Sequence, residues 1–316
     1  MDQLDYLVTG ALGQLGRIVT ALAGERGRRA FGVDFAEMPL EQRSSIMSVM
    51  LTHRPRFVIH CGAMTNVDGC EREPLDAYRI NGLATAWLAE AAAAVGAGML
   101  YVSTDFVFDG AQQGVPYAVD APPAPLSVYG ASKRLGEEAV LAHGRADFYV
   151  TRTSWVYGPG GRNFPRAILE RARAGQPLKV VTDQVGRPTL TCDLAAAMLD
   201  LVESGAPGGI YHAANEGFCS WHRFAVDVLQ AAGLGDVEVG EQLAADLDRA
   251  APRPSWSVLD TTRLREVRGL AMPHYTAAIA RYLELEDELT AAAGDGPGPD
   301  PGCDPGGNPG RGKDYS

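Results

Sequence analysis

Apolar and polar positions along this chain follow two rhythms that alternate. Short β-like runs stand at Tyr6–Thr9, Ala30–Asp34, Phe57–His60, Met99–Ser103 and Phe148–Thr151. Between them lie alanine-rich stretches with helical spacing, at Gly13–Ala23, Leu75–Val95 and Val128–Leu141. Strands alternating with helices predict an α/β fold, a doubly wound parallel sheet covered by helices. Pro116, Pro122, Pro123 and Pro125 forbid a helix between Gly110 and Ser127 and predict a loop there. The second half is less regular. It predicts a helix at Pro165–Ala174, a strand at Leu178–Thr182, helices near Asp193–Ser204 and Trp221–Ala232, and a last helix over His274–Leu289.

This pattern divides the chain into a dinucleotide-type domain over 1–160, its sheet completed by parts of 187–220, and a smaller, interleaved C-terminal domain over 161–290. Residues 291–316 are Gly/Pro-rich with almost nothing apolar to bury, and read as a disordered tail.

Composition narrows the function classes. A formal net charge of -11 disfavours nucleic acid and anionic lipid as partners of the whole surface, though a local basic pocket for a small phosphorylated ligand is compatible with it. The five cysteines (Cys61, Cys70, Cys192, Cys219, Cys303) include no C-x-x-C pair, which suits reduced thiols in a cytoplasm better than disulfides or a zinc site. No His/Asp/Glu cluster has ligand spacing, so no catalytic metal is expected. The acidic N-terminus does not resemble a signal peptide, and no stretch reads as a membrane span.

Three motifs bear on chemistry. Gly10-Ala11-Leu12-Gly13-Gln14-Leu15-Gly16 follows the first strand and opens the first helix, where glycines allow backbone N–H groups to approach a pyrophosphate. Asp34 closes the second strand, where an acid can bind a ribose 2′-hydroxyl and would repel a 2′-phosphate, favouring NADH over NADPH. It also fits a solvated strand terminator. Tyr129 and Lys133 stand four residues apart and share a helix face. A neighbouring ammonium lowers a phenol's pKa and readies it for proton transfer, although the same spacing describes any amphipathic helix edge. Ser103-Thr104-Asp105 ends the fourth strand, where ligands of open α/β sheets bind.

Together these residues resemble the extended short-chain dehydrogenase/reductases, and within them the dTDP-4-dehydrorhamnose reductases. The resemblance reaches to about Leu289 and continues through Gly62–Asp68, Ser103–Gly110, Arg152–Gly158, Asn163-Phe164, Thr182–Thr189 and Arg253–Asp260. It implies a Rossmann fold and reduction of the C4 ketone of a dTDP-linked 6-deoxyhexose by NADPH or NADH. Tyr129 would donate the proton, Lys133 would lower its pKa and hold the ribose, and Thr104 would hydrogen-bond the carbonyl. Gly10, Gly13, Gln14, Leu15, Gly16 and Asp34, with Ala63, Met64 and Thr65, would line the cofactor. Val67, Asp105 and Trp155 would line the sugar pocket, the indole packing on the apolar sugar face, and Arg253 would bind the diphosphate. Some relatives dimerise, so a homodimer is compatible with the motifs.

Phe106 stands where many of these reductases have Tyr, Phe35–Leu40 lacks their usual turn, and Gly62 replaces the more usual Ala. Phe106 cannot transfer a proton, which argues against a 4,6-dehydratase. A sugar-nucleotide epimerase, a related antibiotic-deoxysugar ketoreductase such as a dTDP-dihydrostreptose synthase, and a non-catalytic subunit resembling that of methionine adenosyltransferase are the remaining readings.

Overall fold

The protein is described by a computed structural model over residues 3–294. Its centre is a six-stranded parallel sheet built from β1 (Tyr6–Thr9), β2 (Ala30–Val33), β3 (Phe57–His60), β4 (Gly98–Thr104), β5 (Phe148–Thr153) and a late strand, Gly209–His212. From one edge the order is Gly209–His212, β5, β4, β3, β1, β2. The chain moves outward from β1 to β2 and then returns to the other side of β1. That reversal opens a crevice at the strand ends after β1 and β3, the ordinary ligand position in such sheets. The register aligns Thr9 with Val33 and His60, and Thr104 with Thr153.

Alternation along the strands divides the core into two layers. Tyr6, Val8, Ile59, Leu100, Tyr149 and Tyr211 face α1 (Gln14–Glu25) and a late helix, Thr191–Ser204. Leu7, Val33, Val58, Met99 and Val150 face α2 (Arg43–His53), a helix at Ala84–Val95 and another at Val128–Leu141. The predicted Leu75–Val95 helix is broken. After α3 (Val67–Arg72), it consists of α4 (Pro74–Ala77), a π-helical turn at Tyr78–Leu83 and α5 (Ala84–Val95). The turn frees the Asn81 carbonyl, which accepts from Thr85 Oγ1 at 2.8 Å and Tyr101 Oη at 3.1 Å. Helix α6 (Val128–Leu141) follows, capped by Ser127.

The later segments are β6 (Val156–Tyr157), α7 (Phe164–Arg173), β7 (Leu178–Val181), β8 (Val185–Gly186), β9 (Thr189–Leu190), α8 (Thr191–Ser204), β10 (Gly209–His212), β11 (Cys219–Ser220), α9 (Trp221–Ala231), β12 (Val239–Gln242), α10 (Thr262–Arg268) and α11 (Tyr275–Gly294). They complete the sheet and its first layer through α8, β10 and α10, and most of the others form a further apolar cluster beside it. Tyr157, Ile168, Leu190, Phe224, Ile279 and Tyr282 share that cluster. The last helix runs to Gly294, and Thr290 Oγ1 donates back to Glu286 O at 2.8 Å. The rest of the expected tail lies outside the described residues. Among the described residues no helix is long and apolar enough to cross a membrane.

Candidate active site

The turn after β1 brings its backbone hard against the loop after β3. Gly10 has φ +64°, and a Cβ there would lie 2.7 Å from Gly62 N, so both conformation and space demand glycine. Gly13 caps α1 without a side-chain partner, leaving the helix N-terminus facing a cavity of about 550 Å³. Gly10, Gly13, Gln14, Leu15, Gly16, Asp34, Ala63 and Thr65 all line this cavity. Met64 does not. Its side chain is buried beside Cys70, Ala77 and Ile80, and its N–H and C=O are both held by the Asn81 amide, at 2.8 and 3.0 Å. Asp34 accepts from Leu12 N at 2.9 Å and Phe35 N at 2.8 Å, so its carboxylate also ties the turns together. Glu37 reaches the N–H of Asp34 and adds a second acid at this end.

Thr104, Asp105, Tyr129, Lys133, Val67 and Trp155 line the same cavity. Thr104 ends β4, and its hydroxyl donates to Asp105 Oδ1 at 3.1 Å while accepting from Phe106 N at 3.2 Å. Tyr129 lies in the first turn of α6, where Gly130 lets the helix press against Phe106, since a Cβ there would be 2.2 Å from Phe106 O. The Phe106 ring meets Tyr129 edge-on at 5.6 Å.

The electrostatics differ from the sequence-based expectation. Desolvation raises the Tyr129 phenol above its ordinary value, the Thr104 hydroxyl pulls it down, and Asp105 raises it further. The expected lowering by Lys133 is absent. Lys133 Nζ instead donates to Val102 O at 2.7 Å and lies 4.2 Å above the Tyr101 ring. Burial pulls Lys133 down to about 7, opposed by the Glu137 carboxylate. Glu137 itself is fully buried, accepting from Ser103 Oγ at 2.6 Å and from Arg152 Nε and Nη2 at 2.8 and 2.7 Å. Burial pushes Asp105 up to about 7 against hydrogen bonds from Ser257 and Thr104.

A second cavity of about 390 Å³ shares three rings with the first: Phe106, Trp155 and Trp221. Trp155 adopts φ +47°, a strained value for a bulky residue. Its ring stacks on Trp221 at 3.6 Å and 9°, and a Cβ on Gly186 would sit 2.5 Å from its Cε2. The indole is thus held between Trp221 and the Gly186 backbone. One face of the indole is therefore covered by Trp221.

Arg253 lines the second cavity with Arg171, Lys179 and Arg249. Arg253 is paired with Asp68 at 2.8 Å, and desolvation together with Arg253 lowers Arg249 below the usual arginine value. Two guanidiniums sharing one wall favour an anion between them. Sequence reasoning missed Trp221, Arg249 and Asn81. The Arg249-x-x-x-Arg253 spacing was a usable signal, but Trp221 and Asn81 reach the site only through long-range contacts. No group of three or more His, Cys, Asp or Glu among the described residues could hold a metal ion.

Residues 4–287 match the family model described as the RmlD substrate binding domain. The chain is similar to a dTDP-4-dehydrorhamnose reductase of Streptomyces griseus, 38% identical, with 87% of this chain and 91% of that protein covered. It is 37% identical to the spore coat polysaccharide biosynthesis protein SpsK of Bacillus subtilis, with 88% and 96% covered. Among solved structures it is similar to a Bacillus anthracis dTDP-4-dehydrorhamnose reductase in complex with NADP, with TM-score 0.85 and 32% identity over 90% of this chain and 99% of that one. A Thermotoga maritima UDP-glucose 4-epimerase, TM-score 0.79 and 20% identical over 91% of this chain and all of that one, shares the fold.

Proposed function

Because the chain belongs to the dTDP-4-dehydrorhamnose reductase family within the extended short-chain dehydrogenase/reductases, we propose that it reduces the C4 ketone of a dTDP-4-dehydro-6-deoxyhexose with NADH or NADPH. The observation that supports this best is the junction of the two cavities at Phe106, Trp155 and Trp221, with Thr104 and Tyr129 beside it.

The larger cavity suits a dinucleotide. Its wall comes so close at Gly10 and Gly16 that any side chain would collide with backbone, and the free N–H groups of α1 are disposed to receive a pyrophosphate. When bound, a reduced nicotinamide supplies the hydride. In the smaller cavity, Arg249 and Arg253 suit the sugar-linked diphosphate and the neighbouring rings of Phe164 and Trp221, 4.7 Å apart, suit a base.

The residues' roles follow from their surroundings. Thr104 orients the carbonyl by hydrogen bonding. Tyr129 stays protonated at neutral pH because its pKa is raised, and it passes that proton to the developing alkoxide, a stronger base than phenolate. Lys133 brings a positive charge near the reacting centre below its lowered pKa of about 7, and the Glu137 carboxylate favours that charged form. The work belongs in the cytoplasm, in keeping with free thiols at Cys61, Cys70, Cys192 and Cys219.

Reductases at 32–38% identity favour ketone reduction over epimerisation, since the epimerase likeness at 20% concerns the fold alone. The test is to generate the 4-keto-6-deoxy sugar nucleotide enzymatically, add the protein with NADH or NADPH, follow nicotinamide absorbance and identify the product sugar. Tyr129→Phe lowers kcat about a hundredfold or more, as loss of a general acid should. Normal turnover in that variant removes the role given to Tyr129. No turnover with any keto-sugar nucleotide, together with recovery of a stoichiometric protein partner, points to the regulatory-subunit reading instead.

A further inference from the structure

His60 is fully buried, makes no contact with either cavity, and plays no part in the roles assigned above. Its hydrogen bonds nevertheless admit only one pattern. Thr85 Oγ1 has a single proton, which it gives to Asn81 O at 2.8 Å. It must therefore accept from His60 Nε2, 3.1 Å away, so that nitrogen bears the ring proton. His60 Nδ1 is then an acceptor, and Thr9 Oγ1, at 2.6 Å, donates to it. That leaves a lone pair of Thr9 Oγ1 for the N–H of Gly62 at 3.1 Å. Burial, reinforced by the charge of Lys133, holds the imidazole down to about 3, so the neutral ring persists through the physiological range.

The chain ends at a close backbone contact between the loops after β1 and β3. Gly62 lies where a Cβ on Gly10 would be 2.7 Å from its nitrogen, so moving Gly62 moves the Gly10–Gly16 turn with it. Asn81, at the other end, holds Met64 two residues further along the same loop. The loop is thus tethered twice from behind, and both tethers converge on the π-helical turn at Tyr78–Leu83.

We propose that His60 is a positioning residue for the cofactor, fixing Gly62 through Thr9 so that the loops after β1 and β3 stay in register around the dinucleotide. The proposal rests on the reading of the larger cavity as the cofactor site. His60→Phe keeps a buried ring and removes both nitrogens. Losing a buried hydrogen-bond partner of this kind should raise Kd and KM for NADH ~10-fold, with kcat within about twofold of the parent and KM for the sugar nucleotide unchanged. His60→Asn retains an acceptor toward Thr9 and recovers most of that loss.

NADH fluorescence titration and steady-state kinetics give these quantities. A parent protein that binds neither NADH nor NADPH overturns the cavity reading. A parent that binds, with His60→Phe binding equally well, overturns the positioning role alone. A fall in kcat at constant KM overturns it too, by placing His60 in the chemistry. If His60→Phe does not fold, ¹⁵N-histidine NMR of the parent decides the matter. An Nε2–H tautomer from pH 5 to 8 is the expected result, and an Nδ1–H tautomer breaks the chain of bonds and the proposal with it.

Discussion

Glu137→Gln is the perturbation that couples stability to catalysis most directly. The Glu137 and Arg152 side chains are each 1% exposed and form a bidentate pair, with Ser103 Oγ as a third donor. The amide leaves the Arg152 guanidinium charged, buried and facing an NH₂ group. Breaking a buried pair on one side costs ~3–5 kcal/mol. For a domain of this size, at roughly 2–4 °C per kcal/mol, Tm falls by about 6–20 °C. The second consequence is electrostatic. Glu137 is the largest influence raising Lys133, whose pKa burial has already drawn down to about 7. Without that carboxylate the Lys133 ammonium deprotonates at lower pH. Reduction takes up a proton, so the fall in kcat as pH rises through the Lys133 pKa moves to lower pH in the variant. Glu137→Gln with Arg152→Met separates the two effects. The double variant has no orphaned charge and recovers most of the stability, yet its pH limb stays displaced. Thermal unfolding and kcat profiles over pH 5–9 read both quantities. A Tm within 2–3 °C of the parent refutes the buried-pair argument. An unmoved limb in both variants refutes the link from Glu137 to Lys133.

Three further outcomes follow from the site. Arg253→Met raises KM for the sugar nucleotide about tenfold or more and leaves KM for NADH unchanged; equal effects on both substrates would remove Arg253 from the diphosphate site. Gly186→Ala drives a methyl to 2.5 Å from Trp155, displacing the ring, and should lower kcat/KM for the sugar nucleotide about tenfold with a change in tryptophan fluorescence. Parent-like kinetics there would mean Trp155 does not shape the sugar site. For Asp105, burial raises the folded-state pKa from 3.8 to about 7, so the native state holds more protons than the unfolded chain across that window and stability falls as pH rises through it. Asp105→Asn therefore has the higher Tm at pH 8 and loses that slope, and a parent with no such slope contradicts the assignment.

Much of the sheet was legible because the inner strands are short apolar runs. Tyr6–Thr9 and Phe57–His60 begin and end as expected. β5 extends past its apolar run through Arg152 because Glu137, on α6, neutralises that guanidinium, and no local pattern announces such a partner. Helix α2 escaped notice because only Ile46 and Met50 are buried and its amphipathic signal is weak. The Leu75–Val95 stretch read as one helix because periodicity does not reveal that Asn81 is claimed by Met64 and Ser132. In the site, the glycine turn and the Tyr129–Lys133 pair were visible because their meaning lies in local spacing. The orientation of Trp155, the burial of Met64 and the partner chosen by Lys133 are tertiary facts.

The three rings shared by the two cavities come from distant parts of the chain: Phe106 after β4, Trp155 after β5 and Trp221 at the start of α9. Thr104, Tyr129 and Lys133 sit on β4 and α6, anchored from below by Ser103, Glu137 and Arg152. Trp221 and the cradle around Arg249 and Arg253 can therefore accumulate substitutions while that anchor stays intact. A gene duplicate of such a chain could acquire a different keto-sugar through the seam and the cradle, inheriting Thr104, Tyr129 and Lys133 unaltered.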